Sequence, residues 1–277
     1  MAGGGLVAQF GLGDGSNLSD LGKGDTIIVI ASDLEEEAPI WYLRVKAAAE
    51  RGANLIVANA RATKIDRYAN KQVRYKYGQE IQTTQEIELG GEGNLVIFFG
   101  HEGLSLESTE ALANSCAMLL IASGKAGKKN NGLVPIWPRA NDQGAWDIGL
   151  RPIGDLKDLI QNAPVLYIVA ADPAGDEPSL KPLFMERAED PKRLTIVQEL
   201  FLTETAKLAD MVLPALAITE REGTFTSGER RVQRFYPVVY PKGKARADFD
   251  IAAEIGNRMG ISLKGKFPSF VFPQLSN

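Results

Sequence analysis

Uninterrupted apolar runs recur along this chain at residues 26–31 (TIIVIA), 54–58 (NLIVA), 95–100 (LVIFFG) and 165–170 (VLYIVA). Short β-branched runs with no polar alternation predict strands covered on both faces, the habit of parallel sheets. Between the first two runs the pattern switches to helical spacing. Asp33 is placed to cap a helix, Glu35, Glu36 and Glu37 fill its first turn, and Pro39 is tolerated that early. Ile40, Leu43, Ala47 and Ala48 predict the buried stripe, and Gly52 the stop. The unit is β-α-β, so its strands should be parallel and its crossover right-handed.

The pattern then repeats. A helix is predicted over 105–115, a strand over 118–122 and an extended segment over 133–137. A second half restarts at 165–170, with a helix over 179–188, a strand over 194–198 and an amphipathic helix over 248–259. The fold class that follows is α/β: two Rossmann-like β-α-β halves forming a doubly wound, mainly parallel sheet. Residues 1–24, rich in glycine and aspartate, read as a loop or boundary segment. Residues 25–150 are the first half, 151–260 the second and 261–277 a C-terminal tail that packs on a neighbour.

Strand ends are where such sheets place ligands. That rule singles out Ser32 and Asp33 after the first strand, and Asn59, Arg61 and Thr63 after the second. Asp172, in Ala171-Asp172-Pro173, echoes Asp33 in the second half. The bland alternatives are a helix cap for Asp33 and a loop charge for Arg61. A further candidate is residues 201–235, where a capped turn leads to a strand over 211–213 that Pro214 stops. Thr224 and the basic run Arg230-Arg231 follow, offering hydroxyl, amide and guanidinium groups to a phosphate or a large cofactor.

Composition narrows the chemistry. The chain has 277 residues, a net charge of −4, one histidine and one cysteine. No sequence-wide cationic field favours nucleic acid, and the basic-aromatic segment 67–77 reads as a solvated surface. The apolar runs fall far short of the roughly 20 residues a membrane helix needs, so no direct membrane insertion is expected. An iron–sulfur cluster takes about four cysteines, which the lone Cys116 cannot supply. His101 lacks partners for a metal or a catalytic triad, so catalytic and metal residues are expected to be none. Gly124–Gly132 lacks the hydroxyl of a Walker motif, and no Gly-x-Gly-x-x-Gly follows the first strand.

The stretch ETAKLADMVLPA…EREGTFTSGERRVQRF resembles the closing motif of the molybdopterin-dependent oxidoreductases, the relatives of formate dehydrogenase and dimethyl sulfoxide reductase. SDLEEEAP, NARATK, NDQGA and ADP fall in that family's order, so the resemblance covers about residues 20–260. Within the superfamily it most resembles the large iron–sulfur subunit of bacterial NADH-quinone oxidoreductase (respiratory complex I). That resemblance implies a structural domain of the peripheral arm with no redox centre or cofactor of its own. Cluster domains would precede it, its partners would be the other arm subunits, and it would lie at the cytoplasmic face of the inner membrane. The alternative it implies is the nucleotide-end-binding part of a molybdopterin guanine dinucleotide oxidoreductase. There Ser32, Asp33, Asn59, Arg61, Thr63, Asp172, Thr224 and Arg231 would grip the cofactor. A free-standing nucleotide- or phosphate-binding regulator is the third reading.

Overall fold

The computed structural model describes residues 2–152 and 155–262. In chain order the elements are α1 (Gly4–Phe10), β1 (Thr26–Ile30), α2 (Leu34–Glu37), α3 (Pro39–Glu50), β2 (Asn54–Ala58), β3 (Lys71–Val73), α4 (Glu80–Glu86), β4 (Leu95–Phe99), α5 (Leu106–Ala122), β5 (Gly132–Pro135) and α6 (Asp142–Asp147). After them come α7 (Leu156–Asn162), β6 (Val165–Val169), α8 (Pro173–Asp176), α9 (Lys181–Glu189), β7 (Leu194–Glu199), β8 (Met211–Pro214), β9 (Gly223–Thr226), β10 (Val232–Phe235) and α10 (Asp248–Arg258). Two compact units result. Among the described residues, one holds those up to 150 together with 225–233, and the other holds the remainder, 151–224 and those from 234 on.

In the first unit a five-stranded sheet runs β3-β2-β1-β4-β5. Its strand pairs are all parallel. Every side chain of β1 is buried, and successive residues serve opposite faces. Ile28 and Ile30 join Ile97, Phe99 and the α5 residues Leu112, Cys116 and Leu120. Ile27 and Val29 join Val96, Phe98 and the α3 residues Val45 and Ala48. Helices on both faces thus explain why these strands read as unbroken apolar runs.

Several expectations shift. Residues 1–24 are not simply loop: α1 forms, and Val7 lies in the core with Leu6 and Phe10 against it. Glycine is a poor helix former, but here its smallness is required, since a Cβ on Gly4 would lie 2.3 Å from the Trp146 ring. Leu18 and Leu21 are buried as well. The strand predicted over 118–122 is the last turn of α5, whose buried Leu112, Cys116 and Leu120 keep helical spacing while Met118 and Ile121 are exposed. Ile40 and Leu43 are exposed too. The helix restarts at Pro39 after a break at Ala38, which resets its phase so that Val45 and Ala48 face the core. The tail expected at 261–277 lies, from residue 263 on, outside the described residues.

The second unit has a three-stranded parallel sheet, β6-β7-β8. Its small core, Ile160, Ala174, Leu180 and Phe184, lies under the Leu166 and Ile168 face. Arg187 of α9 is 1% exposed, and among the described residues no carboxylate pairs with it. Its guanidinium donates from Nε to Thr195 Oγ1 (2.8 Å), from Nη1 to the Ile160 and Ala163 carbonyls (3.0 and 2.6 Å), and from Nη2 to those of Pro164 and Leu194 (3.4 and 2.9 Å). All its donors are used, tying the end of α7 to the starts of β6 and β7. Arg187→Met should cost at least about 3 kcal/mol, because several buried carbonyls lose their donor together. Urea unfolding monitored by hydrogen exchange over residues 156–199 checks this, and an unchanged midpoint refutes it.

Candidate functional site

The sheet order places β1 and β4 side by side, although the chain visits β2 and β3 between them. At such a reversal the connections leave to opposite sides and open a crevice beyond the carboxyl ends. The two ends approach closely here. Ala31 takes a left-handed φ of 52° directly after β1, a conformation that costs a non-glycine residue about 1 kcal/mol or more. It is held on both sides: its N–H donates to the Ala58 carbonyl (3.2 Å), and its carbonyl accepts from the Glu102 N–H (3.0 Å). Gly100 leaves no alternative, since a Cβ there would lie 2.2 Å from the Ala31 carbonyl oxygen.

Past this junction the first polar residues of the three strands converge. Asn59 is buried; its Nδ2 donates to the Ser32 carbonyl (3.3 Å) and to Glu102 Oε2 (3.1 Å), and its Oδ1 accepts from the Arg61 N–H (3.1 Å). Arg61 reaches two carboxylates, Nη1 donating to Asp33 Oδ2 (2.9 Å) and Nε to Glu102 Oε1 (2.6 Å). The Tyr77 hydroxyl also donates to Glu102 Oε1 (3.3 Å). Asp33 stands at the position that caps α2, but its side chain makes no cap bond and turns to Arg61 instead. Thr63 is buried beside this group, its N–H donating to Asp66 Oδ2 (2.8 Å) at the start of the turn Lys64–Tyr68.

Two carboxyls at this end of the sheet, Glu102 and Glu37, are shifted in opposite directions. Burial alone would raise Glu102, but the hydrogen bonds from Arg61 and Asn59 outweigh it and hold the group below 4.5. For Glu37 burial dominates and raises the carboxyl above 4.5, despite a hydrogen bond from Ser32 Oγ (2.5 Å). Glu37 as a residue is exposed, so the burial belongs to the carboxyl end turned in toward Ser32. His101 completes the rim, and its Nδ1 is buried without a hydrogen-bond partner among the described residues. Cys116 is remote from this chemistry: burial in the core pushes its thiol up to about 12. Among the described residues no group of three or more His, Cys, Asp or Glu side chains is placed to hold a metal ion.

The remaining candidates sit elsewhere. In the second unit Ala170 repeats the left-handed turn with φ 51°, and Asp172 caps α8. Its carboxylate accepts from the Thr205 N–H (2.8 Å) and Oγ1 (2.7 Å), and more distantly from the N–H groups of Gly175 (3.3 Å) and Glu204 (3.4 Å). Burial would raise this acid, yet those bonds lower it. Asp172 is therefore a latch between β6 and the 203–206 turn. Thr224 is half-buried in β9, in the second unit. Arg231, in the first, is exposed and pairs with Glu229 (2.9 Å). With Arg230 and the Gly13-Asp14-Gly15-Ser16 turn it lines an open cavity of about 380 Å³. Sequence reasoning missed Glu102 and Tyr77 as site residues. The strand-end rule, applied to the run 95–100, reaches Glu102.

The fold is a doubly wound α/β architecture with polar side chains gathered at the strand ends. A family profile described as Molybdopterin oxidoreductase matches residues 8–258, and the chain belongs to that family. The F420-dependent formate dehydrogenase 1 subunit alpha of Methanococcus maripaludis is 26% identical over 92% of this chain and 50% of its own length. Formate dehydrogenase H of Escherichia coli is 29% identical over 54% of this chain and 26% of its own length. The NADPH-Fe(3+) oxidoreductase subunit alpha of Geobacter sulfurreducens is 24% identical, covering 95% and 41%. Acetylene hydratase from Pelobacter acetylenicus shares the fold, with a TM-score of 0.62 at 16% identity over 94% of this chain and 50% of that one. The chain thus spans about half the length of the curated relatives it matches. The expectation of no cofactor is overturned: the family is defined by molybdopterin, and formate dehydrogenases are among the relatives. That expectation rested on the resemblance to the large iron–sulfur subunit of NADH-quinone oxidoreductase, whereas the relatives named here are formate dehydrogenases and related oxidoreductases. No helix among the described residues is long and apolar enough to cross a membrane.

The opposite shifts of Glu37 and Glu102 make a signed test. Glu37 is raised, so its ionisation opposes folding at neutral pH; Glu37→Gln should stabilise there, with the gain vanishing below pH 4.5. Glu102 is lowered, so Glu102→Gln should destabilise at neutral pH, with the loss shrinking as pH falls below 4.5. Denaturation midpoints at about pH 7 and pH 4 separate the two, and effects of equal sign would contradict the assigned environments.

Proposed function

We propose that this chain is the nucleotide-end-binding part of a molybdopterin guanine dinucleotide oxidoreductase of the formate dehydrogenase type. The observation carrying this reading is the convergence of Ser32, Asn59, Arg61 and Glu102 at the β1/β4 reversal, in a chain of the molybdopterin oxidoreductase family. The donor set fits a nucleotide. A guanidinium fork and a fixed amide meet the acceptor oxygens of a nucleotide, and the orphaned His101 Nδ1 lies at the same rim. The cofactor, when bound, supplies two-electron redox chemistry at its metal.

The chain's own residues bind and orient. Asn59 and Arg61 would hold the nucleotide end, with the Ser32 carbonyl fixing Asn59 and the Asp33 carboxylate fixing Arg61. Asp172 contributes by bracing its loop, since its lone pairs are already taken. A finer reading would place the chain in a respiratory assembly, as a counterpart of the large iron–sulfur subunit of NADH-quinone oxidoreductase with the peripheral-arm subunits as partners. The motif at residues 201–235 supports it, while the formate dehydrogenase relatives favour the first reading.

Guanine release decides the matter. The chain purified from a host that makes the cofactor should yield GMP and fluorescent oxidised pterin on acid treatment, and Asn59→Ala with Arg61→Ala should lose most of both. Folded wild-type protein yielding neither would overturn the reading.

A further inference from the structure

Glu102 is the crevice carboxylate on which Arg61, Asn59 and Tyr77 all converge. Its carboxylate accepts from Arg61 Nε (2.6 Å) and Nη2 (3.3 Å), from Asn59 Nδ2 (3.1 Å) and from the Tyr77 hydroxyl (3.3 Å). A guanidinium fork, an amide and a hydroxyl aimed at one anion form the donor set that phosphate oxygens use. Here a side chain of the same protein fills it.

We propose that Glu102 is a displaceable internal anion, occupying the seat on Arg61 and Asn59 that an incoming phosphate oxygen takes. This rests on the reading of the crevice as a nucleotide seat. The donors do not depend on Glu102 for their placement. Asn59 is separately anchored to the Ser32 carbonyl and the Arg61 N–H, and Arg61 to Asp33 (2.9 Å). Glu102, by contrast, lies on the short β4–α5 loop and is followed by Gly103, which has a left-handed φ of 74°. Withdrawal of its carboxylate therefore leaves a preformed anion seat, with Asp33 still balancing part of the Arg61 charge. Ligand binding works against the Glu102–Arg61 pair, so the carboxylate sets the affinity of the seat and selects for ligands able to compete with it.

Inorganic pyrophosphate, which carries neither pterin nor guanine, tests the seat apart from the cofactor. Calorimetric titration of the full chain at fixed ionic strength should find Glu102→Ala binding pyrophosphate about tenfold or more tightly than wild type. Arg61→Ala in the same background should erase the gain. Glu102→Gln keeps the side-chain shape and should also gain, which preserves the test if the alanine variant folds poorly. Equal or weaker binding by both variants would make Glu102 a bystander or a recognition group and overturn the proposal, as would no binding by any form. A gain with no guanine released from purified protein would leave the seat standing and remove the cofactor reading.

Discussion

Everything at the candidate site depends on the close approach of β1 and β4. The two strands share a full parallel register, from Thr26 opposite Leu95 to Ile30 opposite Phe99. Both are buried on both faces, so no polar side chain can be placed along them without losing its water. Polar chemistry can begin only where the strands stop. Ser32 and Asn59 are among the first residues past that line, and both are buried, so they must find hydrogen bonds locally. The mutual wiring of Asn59, Arg61, Asp33 and Glu102 is the consequence. Gly100 and the left-handed Ala31 bring the strand ends near enough for that wiring to close.

The second half repeats the backbone device and changes the chemistry. Ala170 takes the same left-handed turn as Ala31, and an aspartate follows two residues later in each case. Asp33 turns to a guanidinium, whereas Asp172 is consumed by backbone N–H groups and a threonine hydroxyl. Arginine is redistributed too. Arg61 stands half out of the protein beside carboxylates, and Arg187 is sealed inside with carbonyls as its only acceptors besides Thr195 among the described residues. A three-stranded sheet with a small core gains cohesion from such a staple, and its buried donors are then unavailable to any ligand.

Much of the fold was legible because two-sided burial writes itself into sequence as unbroken apolar runs. β1, β2 and β4 fall on such runs and are buried on both faces. β6 falls on one too, but the two-sided cover expected there is not found: Leu166 and Ile168 face the small core, while Val165, Tyr167 and Val169 are exposed among the described residues. What failed had a common cause in tertiary context. α1 is built on glycines that local propensity rejects, and it exists because Trp146 and the core require small residues and an apolar face there. The end of α5 looked like a strand because apolar residues crowd 117–122, and only packing tells a buried helical face from a strand. In the site, the strand-end rule found Ser32, Asp33, Asn59 and Arg61. It could not pair Arg61 with Glu102, 41 residues away, since nothing in spacing encodes which charge meets which.

The cofactor was the least legible feature, for a chemical reason. Counting cysteines and histidines tests for metal ligation, and by that count this chain is silent. A large cofactor is also gripped at the end remote from its metal, through amides, hydroxyls and guanidinium groups that look like ordinary surface residues. Asn59 and Arg61 are amide and guanidinium groups of this sort, and what distinguishes them is their place beside the β1/β4 reversal. Family membership and a strand-end donor set are therefore independent of any count of metal ligands.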